Sequence, residues 1–131
     1  MQKFRKAERL CSRKSFGKLF SSGKTIFHFP YRLVWIENDR EDCIPAKIAI
    51  SVPKKKFKKA VDRNRIKRLI RESYRLNKYV LFESLDQQNR KVDLIVIYIA
   101  DIEYNFDFLN SKMLEIIHKL IIHGKTGEVI F

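Results

Sequence analysis

Three stretches of the chain have the apolar pattern of β-strands. Residues 25–37 are mostly apolar, and Pro30 interrupts them, which predicts two short strands or an edge strand. Residues 46–52 alternate between branched apolar residues and smaller or charged ones, as in a strand that is buried on one face. Residues 92–100 are almost entirely apolar, which predicts a central strand buried on both faces.

Three further stretches have the spacing of helices. Apolar residues three and four positions apart around Phe16 predict a short first helix, which Gly23 can end. Residues 60–78 predict a long second helix with one apolar face and one basic face, and residues 107–123 predict a third helix with a continuous apolar stripe. The order is therefore helix, two or three strands, helix, strand, helix. This order predicts one domain over residues 1–131, an α/β (α+β) two-layer sandwich of one sheet and its packed helices.

The charge of the chain is concentrated in two segments. The 131 residues carry a formal net charge of +13. Residues 1–24 hold eight basic residues and one acidic residue, and residues 54–78 hold twelve basic and two acidic residues, so the remaining 82 residues carry a net charge of −4. A charge that served only solubility would be spread over the surface. The distribution predicts a polyanionic partner.

Composition excludes several classes of protein. With 45% hydrophobic residues, the chain can form a core and is not a disordered basic tail. No apolar run reaches the roughly 18 residues of a membrane span, and the charged N-terminus lacks the apolar region of a secretory signal. Cys11 and Cys43 have no metal-ligand spacing and fit a reducing cytosol, although a disulfide stays open. We therefore expect a cytoplasmic protein with no membrane partner.

The basic face of the second helix is the strongest chemical signal in the sequence. Arg63, Lys67, Arg71 and Arg75 follow one another at steps of four, where like charges repel by a few tenths of a kcal/mol per pair. A bound anion would offset that repulsion, and arginine forks suit phosphate oxygens. The alternative is a solvated basic face, but the charge is too dense and too uniform in sign to favour it.

No catalytic or metal-binding cluster is evident in the sequence. The three histidines are scattered and have no nearby carboxylate and nucleophile, so we interpret them as structural or surface residues. Asp101, Glu103 and Asp107 could suggest a metal site at the end of a strand, but they more simply edge a loop. Nothing resembles the carboxylate cluster of a nuclease.

Four segments together resemble the bacterial ribonuclease P protein component. The sequence RNRIKRLIRE at residues 63–72 is similar to the arginine–asparagine–arginine signature of that family. The upstream SVPKK, the N-terminal ERLCSRKSFGKLFSSGK and the later VDLIVIYIA also fit the family pattern. The resemblance spans nearly the whole chain. It implies the order αβββαβα with a mixed four-stranded sheet and a left-handed βαβ crossover, against the usual right-handed rule.

The resemblance also implies a function. The protein would be a subunit of the ribonuclease P ribonucleoprotein and would assist a catalytic RNA in the endonucleolytic removal of the 5′ leader from precursor tRNA. Its partners would be the catalytic RNA and the leader, with no obligate protein partner. Magnesium would be held mainly by the RNA, so the protein alone would bind no metal and supply no catalytic residue.

The family pattern assigns two sets of residues by position. Residues implied to bind the catalytic RNA are Lys54, Lys55, Arg63, Asn64, Arg65, Lys67, Arg68 and Arg71. Residues implied to line a cleft for the leader are Arg13, Lys14, Phe16, Phe20 and Trp35. From spacing alone Phe16 and Phe20 would be core residues, but the resemblance favours partly exposed rings, on which single-stranded bases stack without strong sequence preference.

Three other functions fit parts of the same sequence. A structural RNA-binding protein, such as a ribosomal protein, fits the composition equally well, and only the order of residues in the signature and the aromatic first helix argue against it. A protein-only nuclease would need the carboxylate cluster that the sequence lacks. A membrane-surface role for the basic helix conflicts with its apolar face, which the sheet needs for a core.

Overall fold

The computed structural model describes residues 8–10, 13–38 and 43–126 of the chain. The predicted order of helices and strands is confirmed, with three strands before the second helix. The elements are α1 (Arg13–Ser22), β1 (Lys24–His28), β2 (Tyr31–Glu37), β3 (Ala46–Ser51), α2 (Ala60–Gln87), β4 (Val92–Tyr98) and α3 (Phe106–Thr126). The predicted break at Pro30 is the turn between β1 and β2, where the Phe29–Pro30 peptide bond is cis. In the part of the chain that the structure describes, no helix is both long and apolar enough to cross a membrane.

The four strands form one mixed sheet in the order β1-β2-β4-β3. The pairs β1–β2 and β2–β4 are antiparallel, whereas β3 and β4 are parallel and are joined by the crossover helix α2. The implied left-handed sense of this crossover stays a prediction. The short segment before α1 extends the sheet, because Arg9 bridges to Ile48 and the Leu10 N–H donates to the Ile48 carbonyl at 2.9 Å.

The two faces of the sheet are covered unequally. Side chains alternate between the faces of a strand, so Tyr31, Leu33 and Trp35 of β2 enter the large core beneath α2 and α3. On the other face Val34 belongs to a small cluster with Leu10, Leu19 and Ile95, which α1 covers. The large core therefore stabilises the fold, and the α1 face stays partly open.

Helix α2 is longer than the sequence pattern predicted. Its predicted end near residue 78 is wrong, because the helix continues to Gln87. Leu81 and Leu85 extend the apolar face at steps of four and are both buried. The chain leaves the helix through Asn89, whose φ of 51° lies in the left-handed region that asparagine tolerates.

A buried ion pair fixes the start of the described chain to α2. The Lys78 ammonium donates to a Glu8 carboxylate oxygen at 2.7 Å, and the two side chains are only 8% and 5% exposed. Either charge left alone in such a place would be strongly destabilising. The pair therefore holds the segment that leads into α1 against the edge strand β3 and α2.

The close approach of α1 to the sheet at Gly23 gives a test of the fold. A Cβ at Gly23 would lie 2.3 Å from the Leu19 carbonyl oxygen and 2.8 Å from Cγ1 of Val34, whereas a Cβ at Gly17 would meet no atom within 4 Å. We expect Gly23→Ala to lower the free energy of unfolding by about 1–3 kcal/mol because the backbone must move. Gly17→Ala, the matched control inside α1, should raise it by about 0.5–1 kcal/mol. Urea unfolding measures both, and a Gly23→Ala protein as stable as the parent would contradict this packing.

Candidate nucleic-acid interface

A lysine-rich turn connects β3 to α2 and is held in place by backbone hydrogen bonds and by one buried ring. The Pro53 carbonyl accepts hydrogen bonds from the N–H groups of Lys56 and Phe57, both at 3.2 Å. The Phe57 ring is buried, with its centroid 5.9 Å from that of Tyr98. The turn is therefore ordered by one aromatic anchor. Exposed lysines surround this anchor at positions 54, 55, 58 and 59.

Arg63 has a structural task in this loop. Its guanidinium Nη1 donates to the carbonyl oxygens of Phe57 at 2.8 Å and Lys58 at 2.9 Å, and the side chain is half-buried. These bonds tie the first turns of α2 to the loop that precedes it. Arg63 thus positions the loop, and the contact with RNA that the family pattern implied for it stays a prediction.

Arg65 is held by two carboxylates. Its Nε and Nη2 donate to the two carboxylate oxygens of Glu103 at 2.8 Å and 3.0 Å, and Nη2 also donates to Asp62 at 2.8 Å. The bonds to Glu103 and its charge raise the pKa of Arg65 above its ordinary value. Glu103 is therefore committed to an ion pair. Asp101 likewise pairs with the Lys56 ammonium at 3.0 Å.

The outer face of α2 retains the exposed basic residues. Asn64, Arg68 and Arg71 are exposed there, and Lys67 is half-buried. Further along the helix, Arg75 donates from Nε to Glu72 at 3.0 Å, and this bond lowers the pKa of the Glu72 carboxyl. We define the α2 basic surface as the exposed basic side chains of the loop and helix other than Lys56 and Arg65, which pair with carboxylates. Its members are Lys54, Lys55, Lys58, Lys59, Arg68 and Arg71.

The aromatic side chains of α1 are partly exposed, and their contact with a leader stays a prediction. Leu19 is fully buried against the sheet, Phe16 is half-buried beside the same cluster, and Phe20 is 61% exposed. Lys14 is exposed on the same helix. Arg13 begins α1, and its side chain lies outside the described part of the structure. A partly covered aromatic surface therefore exists at α1.

The prediction that Trp35 supplies the sheet side of this cleft is wrong. Trp35 is only 3% exposed and lies in the large core on the opposite face of the sheet. Its ring packs edge-on against His123, with centroids 5.7 Å apart. The reason is the alternation of side chains along β2, which turns Val34 toward α1 and Trp35 away from it.

The exposed aromatic residue on the α1 face of the sheet is Phe27, which the sequence reasoning did not single out. Phe27 is 64% exposed and pairs across the strands with Arg32, which in turn pairs with Ile97. The Arg32 guanidinium carbon lies 5.8 Å from the centroid of the Phe27 ring. The signal was available in the sequence, because Phe27 must point opposite to its buried neighbour Ile26 if residues 24–28 form a strand.

The histidines and cysteines lie in different surroundings. His28 lies 3.1 Å from a Glu115 oxygen, and His118 is exposed. His123 is buried, and burial together with the nearby Lys24 charge lowers its pKa. Within the described ranges no three His, Cys, Asp or Glu side chains are grouped to hold a metal ion. Cys43 is an exposed free cysteine, and Cys11 lies outside the described residues.

Comparison with known proteins identifies relatives along most of the chain. The family model for ribonuclease P matches residues 4–121. The ribonuclease P protein component of Porphyromonas gingivalis is 35% identical over 96 residues, which are 73% of this chain and 70% of that protein. The ribonuclease P protein component of Desulfosudis oleivorans is 43% identical over 75 residues, which are 57% of this chain and 59% of that protein.

Solved structures agree with this result. The RNase P protein from Thermotoga maritima has a TM-score of 0.69 and 26% identity, covering 86% of this chain and 96% of that one. The RNase P protein of Staphylococcus aureus has a TM-score of 0.67 and 25% identity, covering 88% of this chain and 95% of that one. The chain therefore belongs to the ribonuclease P protein family, the protein component of a tRNA-processing ribonucleoprotein.

Proposed function

We propose that this protein assists a catalytic RNA in cleaving the 5′ leader from precursor tRNA by binding both RNAs at once. The α2 basic surface would bind the catalytic RNA, and the aromatic surface of α1 would bind the leader. The observation that carries the proposal is the presence of both surfaces on one small fold, one with many exposed cations and the other with the exposed ring of Phe20 beside the half-buried ring of Phe16. This pairing also separates the proposal from a purely structural RNA-binding role.

The chemistry of the α2 basic surface supports contact with an RNA backbone. Arg68 and Arg71 present planar forks that match phosphate oxygens, and the lysines of the loop add point charges. Cationic contacts of this kind release counterions and carry little sequence information. They suit the binding of a folded RNA by its shape and backbone.

The chemistry of α1 supports contact with single-stranded RNA. Each base has a π-face, so an exposed ring such as Phe20 can stack on any base, with a gain of about 1–3 kcal/mol. A subunit that meets many different leaders needs this tolerance. Lys14 on the same helix would attract the leader backbone.

We assign the magnesium ions and the bond cleavage to the RNA. The proposed RNA surface consists of ammonium and guanidinium groups, which repel a divalent cation, whereas magnesium prefers carboxylate and phosphate oxygens. The protein would contribute by neutralising phosphate repulsion between the two RNAs. The proposal needs no obligate protein partner and places the protein with its RNA partners in the cytoplasm.

Reconstitution tests the proposal directly. The experiment measures how fast the matched catalytic RNA cleaves precursor tRNA at low magnesium, once with this protein and once without it. We expect the protein to raise the cleavage rate and the affinity for precursor, because it supplies positive charge that the scarce magnesium ions do not. A protein that adds nothing under these conditions would refute the proposed function.

Substitutions in α1 test the leader contact. We expect Phe20→Ala and Phe16→Ala to weaken binding of precursor tRNA by the reconstituted enzyme, by about 1–3 kcal/mol for each stacked base that is lost. Binding of mature tRNA should not change. Phe20→Ala is the cleaner variant, because this ring is 61% exposed and contributes little to the core. Equal losses for precursor and mature tRNA would contradict the assignment of the leader to α1.

Two arginines on α2 separate structural from binding roles. Arg63→Met should lower the free energy of unfolding by about 1–3 kcal/mol, because two carbonyl oxygens lose their donor. Arg68→Met should change stability by less than about 0.5 kcal/mol. It should nevertheless weaken binding to the catalytic RNA and reduce the salt dependence of that binding by about one phosphate contact. Chemical unfolding and a salt titration measure the two effects, and an Arg68→Met protein with unchanged RNA affinity would contradict the α2 assignment.

A further inference from the structure

Two cations beside the α2 basic surface are paired with carboxylates of a single loop. The loop joins β4 to α3 and contains Asp101 and Glu103. Glu103 accepts from Arg65 Nε at 2.8 Å and from Arg65 Nη2 at 3.0 Å, and Asp101 lies 3.0 Å from the Lys56 ammonium. Lys56 and Arg65 belong to the same turn and helix as the α2 basic surface, and these ion pairs are what separates them from it.

The Glu103 carboxylate occupies the position that a phosphate group would take on Arg65. A guanidinium presents two parallel N–H groups, and carboxylate and phosphate oxygens accept them in the same bidentate arrangement. Asp62, three residues earlier on α2, accepts a further bond from Arg65 Nη2 at 2.8 Å. The guanidinium would therefore stay oriented if Glu103 left it and a phosphate took its place.

Both ion pairs are accessible to an approaching RNA. The side chains of Arg65 and Glu103 are 51% and 36% exposed, and those of Lys56 and Asp101 are 36% and 84% exposed. Ion pairs with this exposure are screened by water and salt and contribute little to folding stability. An RNA that brings phosphates to the same cations also releases its condensed counterions, which favours binding. The exchange of a carboxylate for a phosphate at these cations therefore has a low free-energy cost.

The loop has anchors other than these ion pairs. The Tyr98 hydroxyl donates to the Ile102 carbonyl at 2.6 Å, and Tyr98 is fully buried. At the other end of the loop, the Asn105 side chain accepts from the Phe108 N–H at 2.9 Å, as a residue that caps the start of a helix does. The conformation of the loop therefore does not depend on the charges of Asp101 and Glu103.

We infer that Asp101 and Glu103 are resident substitutes for RNA phosphates, which the catalytic RNA displaces when Lys56 and Arg65 bind its backbone. The inference rests on the proposed function, since it takes the α2 basic surface as the site of the catalytic RNA. It extends that surface by two cations and adds two carboxylates that limit its affinity. In the protein without RNA, the carboxylates reduce the attraction of the basic segment for any polyanion.

Carboxylate-to-amide substitutions test the exchange, because they remove the charge and keep the size of the side chain. We expect Glu103→Gln and Asp101→Asn each to tighten binding of the catalytic RNA about two- to fivefold, since no ion pair has to open. The slope of log affinity against log salt should steepen by up to about one phosphate contact for each variant, because no displaced carboxylate takes up a cation from solution. A salt titration of binding measures both quantities.

Glu37→Gln is the matched control. Glu37 also pairs with an arginine, Arg90, and the substitution changes the net charge by the same amount. Glu37 lies opposite Val92, at the other end of β4 from Tyr98, which is about 20 Å along the strand and exceeds the Debye length of about 8 Å at physiological salt. Glu37→Gln should therefore leave the affinity and the salt slope unchanged.

A double-mutant cycle separates exchange from simple repulsion between Glu103 and the RNA. In the Arg65→Met protein, Glu103→Gln should give little or no gain in affinity, because no guanidinium is left for a phosphate to bind. Repulsion alone would give the same gain in both backgrounds. Urea unfolding shows whether each variant is folded. Asp101→Asn carries the test if Glu103→Gln is unstable, because the Asp101 side chain is 84% exposed.

Several results would overturn the inference. If the two amide variants bind the catalytic RNA as the parent does, no exchange takes place, and if they bind it more weakly, the carboxylates position the cations instead. An equal gain from Glu37→Gln would reduce the effect to net charge, and an equal gain in the Arg65→Met protein would reduce it to repulsion.

Arg68→Met separates these failures from failure of the proposed function. If Arg68→Met weakens binding of the catalytic RNA and the amide variants do not tighten it, only the exchange is refuted. If Arg68→Met has no effect either, the assignment of the catalytic RNA to α2 is refuted with it.

Discussion

The alternation of side chains along β2 and β4 is the constraint on which the rest of this structure depends. Both strands lie inside the sheet, and their alternate residues enter the large core beneath α2 and α3. That core supplies most of the apolar burial, so the opposite face needs only the small cluster under α1. A face that contributes less to stability can stay partly open. The exposure of Phe20 and Phe27 follows from this division.

The basic segment contains arginines that have partners within the protein and basic side chains that are exposed to solvent. Arg63 holds the loop before α2, and Arg65 is held by Glu103 and Asp62. Both arginines belong to the family signature, yet their guanidinium groups have partners within the protein. The lysines of the loop and Arg68 on α2 are exposed to solvent. In our proposal, the signature therefore combines residues that build the surface with residues that bind at it.

The sheet topology brings the two proposed RNA surfaces close together. The parallel strands β3 and β4 end at the same edge of the sheet, where Ser51 of β3 pairs with Ile97 of β4 on the face that α1 partly covers. The lysine-rich turn begins three residues after Ser51.

The sequence alone determined the features that depend on local periodicity and on the order of residues. These include the order of helices and strands, the break at Pro30, the apolar face of α2 and the family signature itself. The tertiary structure decided the features that depend on partners distant in sequence. The continuation of α2 to Gln87, the burial of Trp35 and the pairing of Arg65 with Glu103 all depend on packing against other elements. A pattern of apolar residues shows that a strand has two faces, but only the contacts of the folded chain decide which face is covered and which charges remain free to bind RNA.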